Sequence, residues 1–337
     1  MCYLVASLYC LAMLQLLVLS TILVLVPASP LQGRSGPDQK AGGNIGPEPS
    51  FQRRWKTKLQ NFPLSYGSAS LAMHEDTLFV LNGGDVGNYV EKFSPTGNYS
   101  GEYAGWYNWP IDLVVGGEGQ LLVSALGAMG DDHMMAFGLV MYSKEGRFLH
   151  GFHQENTTIG RPFGMATVPG SGSGQVVVAD WFLNRTVLVD VDWTKGNISI
   201  NKTLSSVPYP HGVAVCQDKI AVISMVCCQP WQEPLKAMRL YDRQGKLLKE
   251  IKKLPDGSII TAPETVAMDP SGNIYLVDGA GGLNQTMFFD SDGNFIKKIP
   301  ALGTPSKILV SEGLLFTLED ITEREKEETY VNVFSLK

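Results

Sequence analysis

The chain has 337 residues, with 27 Lys and Arg against 33 Asp and Glu, a net charge of −6 and a pI near 5.4. No basic stripe offsets this acidity, which argues against nucleic acid as a partner. The length beyond the N-terminal region is enough for one large core.

Residues 3–26 contain no charge and few polar groups. The run is long for a signal peptide, just long enough to span a bilayer, and lacks a basic n-region. Val26-Pro27-Ala28 before Ser29 is a small-residue cleavage pattern. Residues 1–28 are therefore expected to be a cleaved signal peptide or an uncleaved signal anchor, and both stay open. Residues 29–50 are rich in Pro and Gly and read as a flexible spacer. Arg34, Lys40, Arg53, Arg54, Lys56 and Lys58 follow the apolar run, which would favour the cytoplasmic side for an anchor. Six Asn-X-Ser/Thr sequons point the other way: Asn98, Asn156, Asn184, Asn197, Asn201 and Asn284. They exceed what composition supplies and all follow residue 60. They outweigh the basic residues, so the fold is expected to be secreted, extracellular or lumenal, and N-glycosylated.

From Ser68 onward one phrase recurs: a short apolar run, a Gly or Asp turn, and a second apolar run ending in a polar residue. It appears at 68–82, 110–124, 162–180, 210–224, 263–278 and 305–319, and the last five open with Pro. The spacings are 42, 52, 48, 53 and 42 residues, a period that marks stacked supersecondary units. A third run with a turn Gly follows at 90–103, 139–152, 238–251 and 287–299. In each, an aromatic stands four residues before the Gly: Phe93, Tyr142, Tyr241 and Phe289. The third unit departs, with Asp192 before Gly196. Four short strands per unit predict an all-β, six-bladed propeller over 51–337. The sixth unit ends after its third strand, at 331–337. An open edge would be a liability, so FQRRWKTKLQ (51–60) is expected to supply the missing outer strand by pairing with 331–336.

The segments VVVADWFLNRTVLVDVD (176–192), PHGVAV (210–215), MDPSGNIYLVD (268–278) and MFFDSDGNFIKKI (287–299) resemble NHL repeats. The resemblance covers about 66–337. NHL repeats build six-bladed propellers in tripartite-motif proteins and in peptidyl-hydroxyglycine amidating lyases. It implies the fold more than the function, because the fold hosts ligases, lyases, lactonases and binding modules. The zinc-bound RING of the tripartite-motif proteins is not implied, since no CxxC pair is present.

Candidate sites follow from position in the repeat. The loops after the second strand are long in alternate blades, at 125–138, 225–237 and 320–329. Long loops gathered on one propeller face usually shape a binding surface. Met134, Met135, Phe137 and Trp231 on them are the expected partner contacts, or they fold back over the rim. The 323–328 run EREKEE reads as a solvated hairpin tip. Asn82, Ser124, Asp180, Ser224, Asp278 and Glu319 end the second strands. They are expected to tie down the following loops. The alternative is a ring of oxygens, with Asp180, Asp278 and Glu319 as metal candidates for Ca²⁺.

Of five histidines, His211 stands at the inner start of a first strand, with Glu264 at the matching place in blade five. The pair could hold a metal or move a proton, and the amidating lyases that share this fold use a His-based zinc site. Cys216, Cys227 and Cys228 lie in the propeller, an odd number for an extracellular chain. Cys227 and Cys228 form a vicinal disulfide in one reading, and all three are buried thiols in the other. Catalytic signals are sparse, and no cofactor is expected in the main reading. That reading is a binding module for a protein or other extracellular ligand. One alternative is a channel-centred, calcium- or zinc-dependent enzyme, either an amidating-type lyase or a lactonase/esterase-type hydrolase. The other is a receptor or adhesion module anchored in a membrane through residues 3–26.

Overall fold

A computed structural model describes residues 51–58, 68–84, 87–104, 107–129, 135–153, 159–170, 174–225, 236–279, 282–323 and 326–336. The chain opens with β1 (Phe51–Lys58). Blade one is β2 (Ser68–His74), β3 (Thr77–Gly84), β4 (Gly87–Phe93) and β5 (Tyr99–Ala104). Blade two is β6 (Tyr107–Val115), β7 (Leu121–Met129), β8 (Met135–Tyr142) and β9 (Phe148–His153). Blade three is β10 (Pro162–Thr167), β11 (Gln175–Asp180), β12 (Arg185–Asp192) and β13 (Asn197–Ser206). Blade four is β14 (Pro210–Val215), β15 (Lys219–Ser224), β16 (Ala237–Asp242) and β17 (Leu247–Ile251). Blade five is β18 (Pro263–Met268), β19 (Ile274–Asp278), β20 (Gln285–Phe289) and β21 (Phe295–Lys298). Blade six is β22 (Lys307–Ser311), β23 (Leu314–Glu323) and β24 (Lys326–Leu336), completed by β1.

All six sheets are antiparallel and four-stranded. The inner strands touch their neighbours around the ring, and β22 meets β2 to close it. The closure predicted for 51–60 is present over 51–58, from Phe51↔Leu336 to Lys58↔Tyr330. Residues 59–60 lie outside the described residues, as does the apolar run 3–26. Among the described residues no helix is long and apolar enough to cross a membrane.

The recurring phrase explains the blades. The strands β11, β15 and β19 (QVVVAD, KIAVIS, IYLVD) are buried along nearly their whole length, because each lies inside a blade and between two others. The turn into the fourth strand needs a left-handed residue, and Gly supplies it at no steric cost. Gly245 has φ +89° and Gly293 +71°. Asp242 and Asp290 open these turns, each accepting two backbone N–H groups on its carboxylate. The core is divided into six clusters, one at each blade interface. The four repeat aromatics Phe93, Tyr142, Tyr241 and Phe289 are buried, each in a different cluster.

Two expected loops are shorter than the sequence suggested. Ala125–Met129 continues β7 and Met135–Tyr142 is β8, so most of 125–138 is extended hairpin. Likewise β23 and β24 pair as far as Glu323↔Lys326, across most of 320–329. Main-chain pairing propagated outward where no Pro stopped it.

Candidate functional site at the channel mouth

The site grows from a defect that the blades share. In blades three to five the inner strand begins with Pro, and in blade two Pro110 is the fourth residue of β6; Pro has no N–H to donate. The ladder then shifts register, between Pro110/Asp112, Pro162/Met165, Pro210/Gly212 and Pro263/Thr265. Such bulges re-aim the residue that drops out of the ladder. The residues freed are Ile111, Phe163 with Gly164, His211 and Glu264, all at the loop-bearing end of the channel. Blades one and six keep a continuous ladder, so Ser70 and Lys307 enter from regular strands. Gly164 is required by the resulting crowding, because a Cβ there would lie 2.6 Å from Gly212 Cα.

Asp112 is the hub. Its Oδ1 accepts from Ser70 Oγ, from Leu113 N at 3.0 Å and from Lys307 Nζ at 2.8 Å. Its Oδ2 accepts from Met165 N at 2.7 Å. Four of the six blades thus meet on one buried carboxylate. The Asp112 N–H donates to Ser124 Oγ, which donates onward to the Phe163 carbonyl at 2.9 Å. Beyond the ion pair the channel widens into a cavity of about 340 Å³, walled by apolar residues such as Val114, Met165, Val213 and Ile308.

His211 sits beside this hub. Its Nδ1 is buried with no hydrogen-bond partner, while the Glu264 backbone bonds the ring. A neutral imidazole carries one acceptor nitrogen. Burial first, then the charge of Lys307, push the imidazole pKa down to about 4, against weaker opposing effects of Asp112 and the Glu264 backbone. In the unfolded chain a His titrates near 6.5. Between those values the unfolded chain binds the proton and the folded one does not. Stability is therefore complete above about pH 6.5 and declines as the pH falls towards 4, by on the order of 3 kcal/mol. Denaturant melts at pH 7.5 and 4.5 check this. A His211→Gln variant should lose distinctly less stability than wild type, and equal losses would exclude His211 as the cause.

An aromatic run leads from the surface to this imidazole. Tyr209 lies 5.4 Å from Trp181, Trp181 5.9 Å from Phe163, and Phe163 5.1 Å from His211, by ring centroids. The Arg161 guanidinium lies over both Phe163 and Trp181, at 5.2 and 5.1 Å. Phe182 beside them is 58% exposed.

No family model and no curated protein matches the chain. Solved structures do match. A gluconolactonase from Xanthomonas campestris aligns with TM-score 0.51 and 14% identity, over 80% of this chain and 85% of that one. Regucalcin from Agrobacterium tumefaciens, named a calcium-binding protein, aligns with TM-score 0.54 and 12% identity, over 85% and 95%. A luciferin-regenerating enzyme aligns with TM-score 0.51 and 11% identity, over 84% and 96%. At these identities the likeness is one of fold: a six-bladed propeller.

Regucalcin is named a calcium-binding protein, whereas the oxygen donors described at this mouth are already engaged. Calcium takes six to eight oxygen ligands. Both Asp112 oxygens already accept hydrogen bonds, and Lys307 would face the ion as a like charge. The Glu264 carboxylate is packed over Gly279, where a Cβ would come within 1.9 Å of it. Among the described residues no three His, Cys, Asp or Glu side chains converge as a metal site.

The other expected site residues fall as follows. Asp180 and Asp278 do not form a ring of oxygens; their carboxylates hold loops. Asp180 accepts from the backbone of Gly160, Arg161 and Leu183, and from Arg185 Nε. Asp278 accepts from the backbone of Thr261, Ala262 and Leu283. Each thereby fixes the segment entering Pro162 or Pro263 at the mouth. Glu319 accepts from Asn332 Nδ2 within blade six. His211 and Glu264 do come together, although Glu264 acts through its backbone. Met135 and Phe137 lie in β8, with side chains outside the described residues, and Met134, Trp231, Cys227 and Cys228 lie outside them altogether. Cys216 is a buried free thiol. Asn98, Asn184, Asn197, Asn201 and Asn284 are exposed, and Asn156 is outside the described residues.

Sequence reasoning missed Asp112, Lys307 and Ser70. The signal lay one residue further along the phrase. Asp112 and Lys307 both stand second after the Pro, in PID and PSK, which places opposite charges in one column of inner-strand positions.

Proposed function

We propose that the protein acts at this mouth on a small molecule, as a hydrolase of a carboxylic ester or lactone. This was the alternative to a plain binding module, here without its metal. One observation carries it: a buried imidazole whose Nδ1 has no hydrogen-bond partner, held neutral near a fixed ammonium that lines the channel cavity. A water bound to the acceptor nitrogen of His211 can lose a proton to it while its oxygen attacks the substrate carbonyl. The imidazolium then returns that proton to the departing alkoxide, leaving acid and alcohol. The names of the gluconolactonase and the luciferin-regenerating enzyme support an enzymatic reading of this fold.

The test is turnover of aryl acetates and of γ- and δ-lactones by the full chain, with and without a chelator. The expected result is hydrolysis that survives the chelator and falls at least ~100-fold in His211→Gln. No turnover of any of these, or an equally active variant, would overturn the reading.

A second reading, a docking module for an extracellular protein, has its own support in exposed Phe182 and Leu183 beside Trp181. The five exposed sequons support N-glycosylation and a secretory location as part of the proposal. The repeat type we assign is NHL-like, on the Pro-led inner strand and the Asp-Gly turns. Anchoring through residues 3–26 belongs to the same proposal. The calcium or zinc alternative has no donor set among the described residues.

A further inference from the structure

We infer that Lys307 is the electrophile of this site: its ammonium binds the substrate's carbonyl oxygen and takes up the negative charge that oxygen gains on attack. The inference rests on the hydrolase reading for its substrate class, but the anion site it defines stands or falls by itself.

Placement is the first argument. Lys307 comes from blade six and reaches past blade one to Asp112 of blade two, so its ammonium crosses the head of the channel. Both residues line the cavity beyond, so the pair forms the cavity's ceiling. The second argument is valence. An ammonium has three donors, and the bond to Asp112 uses one. The side chain is 22% exposed and lines the cavity, which leaves two donors for a ligand. The third is rigidity. Asp112 is itself held by Ser70, Leu113 N and Met165 N. A charge fixed in this way stabilises a developing oxyanion without having to reorganise. The fourth is that His211 carries no charge at neutral pH, so it neither repels the Lys307 ammonium nor loses its capacity to accept a proton. One group can accept a proton while the other receives electron density.

In the step itself, water adds through oxygen to the carbonyl carbon and its proton goes to the acceptor nitrogen of His211. The carbonyl π-pair moves onto the oxygen facing Lys307. Collapse of the tetrahedral species breaks the carbon–oxygen bond to the leaving group, which takes the proton back. Nothing is oxidised or reduced, and no further reactant is consumed.

Lys307→Met would leave Asp112 buried without its counter-ion and so risks the fold. The neutral pair Lys307→Gln with Asp112→Asn keeps shape and removes both charges, and Lys307→Arg keeps charge with altered geometry. An alkyl phosphonate monoester, which mimics the tetrahedral anion, and a neutral lactam, which mimics the ground state, are titrated by calorimetry into the full chain and each folded variant. The expected result is phosphonate affinity at least ~100-fold weaker in the neutral pair, lactam affinity within about threefold, and the Arg variant between wild type and the pair. Phosphonate affinity unchanged in the neutral pair overturns the inference, as does wild-type protein that does not bind it. Turnover decides separately. Lys307-dependent phosphonate binding without ester or lactone turnover keeps the anion site and removes the hydrolase. Turnover that is indifferent to Lys307 does the reverse.

Discussion

A chain beginning at Leu59 is expected to lose its cooperative melt at ordinary temperatures. Such a chain lacks β1, and β24 then becomes an open edge. Seven residue pairs join the two strands. At about 1 kcal/mol for each ladder hydrogen bond, with added cost for an unprotected edge, the loss is on the order of 5 kcal/mol. That is comparable to the whole stability of many domains. β24 cannot compensate, since Val331, Val333 and Phe334 are buried and any rearrangement would expose them. Circular dichroism melts of the truncated and full chains decide the matter. A midpoint within about 2 °C of the full chain would mean that the ring does not depend on its N-terminal strand.

Replacing Asp112 by Ala should be the most damaging single change at the site, costing about 3–5 kcal/mol. It strands the Lys307 ammonium and leaves Ser70 Oγ, Leu113 N and Met165 N without their shared acceptor. Asp112→Asn should cost less, since an amide oxygen still accepts. Adding Lys307→Gln to Asp112→Asn should recover part of the loss, because the uncompensated charge goes with it. Urea melts of the two singles and the double give the coupling energy. A loss below about 0.5 kcal/mol in Asp112→Ala would show that the carboxylate is not the joint between blades.

The architecture was legible because it is written locally. Pro, an apolar run, a turn and a second apolar run specify an inner hairpin whatever the rest of the chain does. The six copies then leave little choice but a ring. His211 and Glu264 were legible for the same reason, being the first residues after the Pro in a column that any reader of the repeat would align. The Lys307–Asp112 pair is of another kind. Its partners are 195 residues apart and meet only because blades six and two both border the channel head. No periodicity encodes which charges will face each other across a closed ring. The aromatic run was hidden similarly, since Trp181 and Tyr209 stand in connections rather than strands. The Gly- and Met-rich stretch 125–138 misled by composition: side chains suggested a loop where backbone pairing continued.

The closure of the sixth blade also sets the order in which the molecule can be made. Of the described strands, β1 is synthesised first and its partner β24 last. Through the whole of translation the opening strand has no mate, and the growing row of blades keeps one raw edge. Blades one to five can each form as their own four strands emerge, each after the first covering the one before. The final seam joins segments separated by nearly the full length of the fold, the kind of distant pairing that chains find slowly. Until Leu336 is released, the unfinished edge is open to any other strand that reaches it, including that of a second copy.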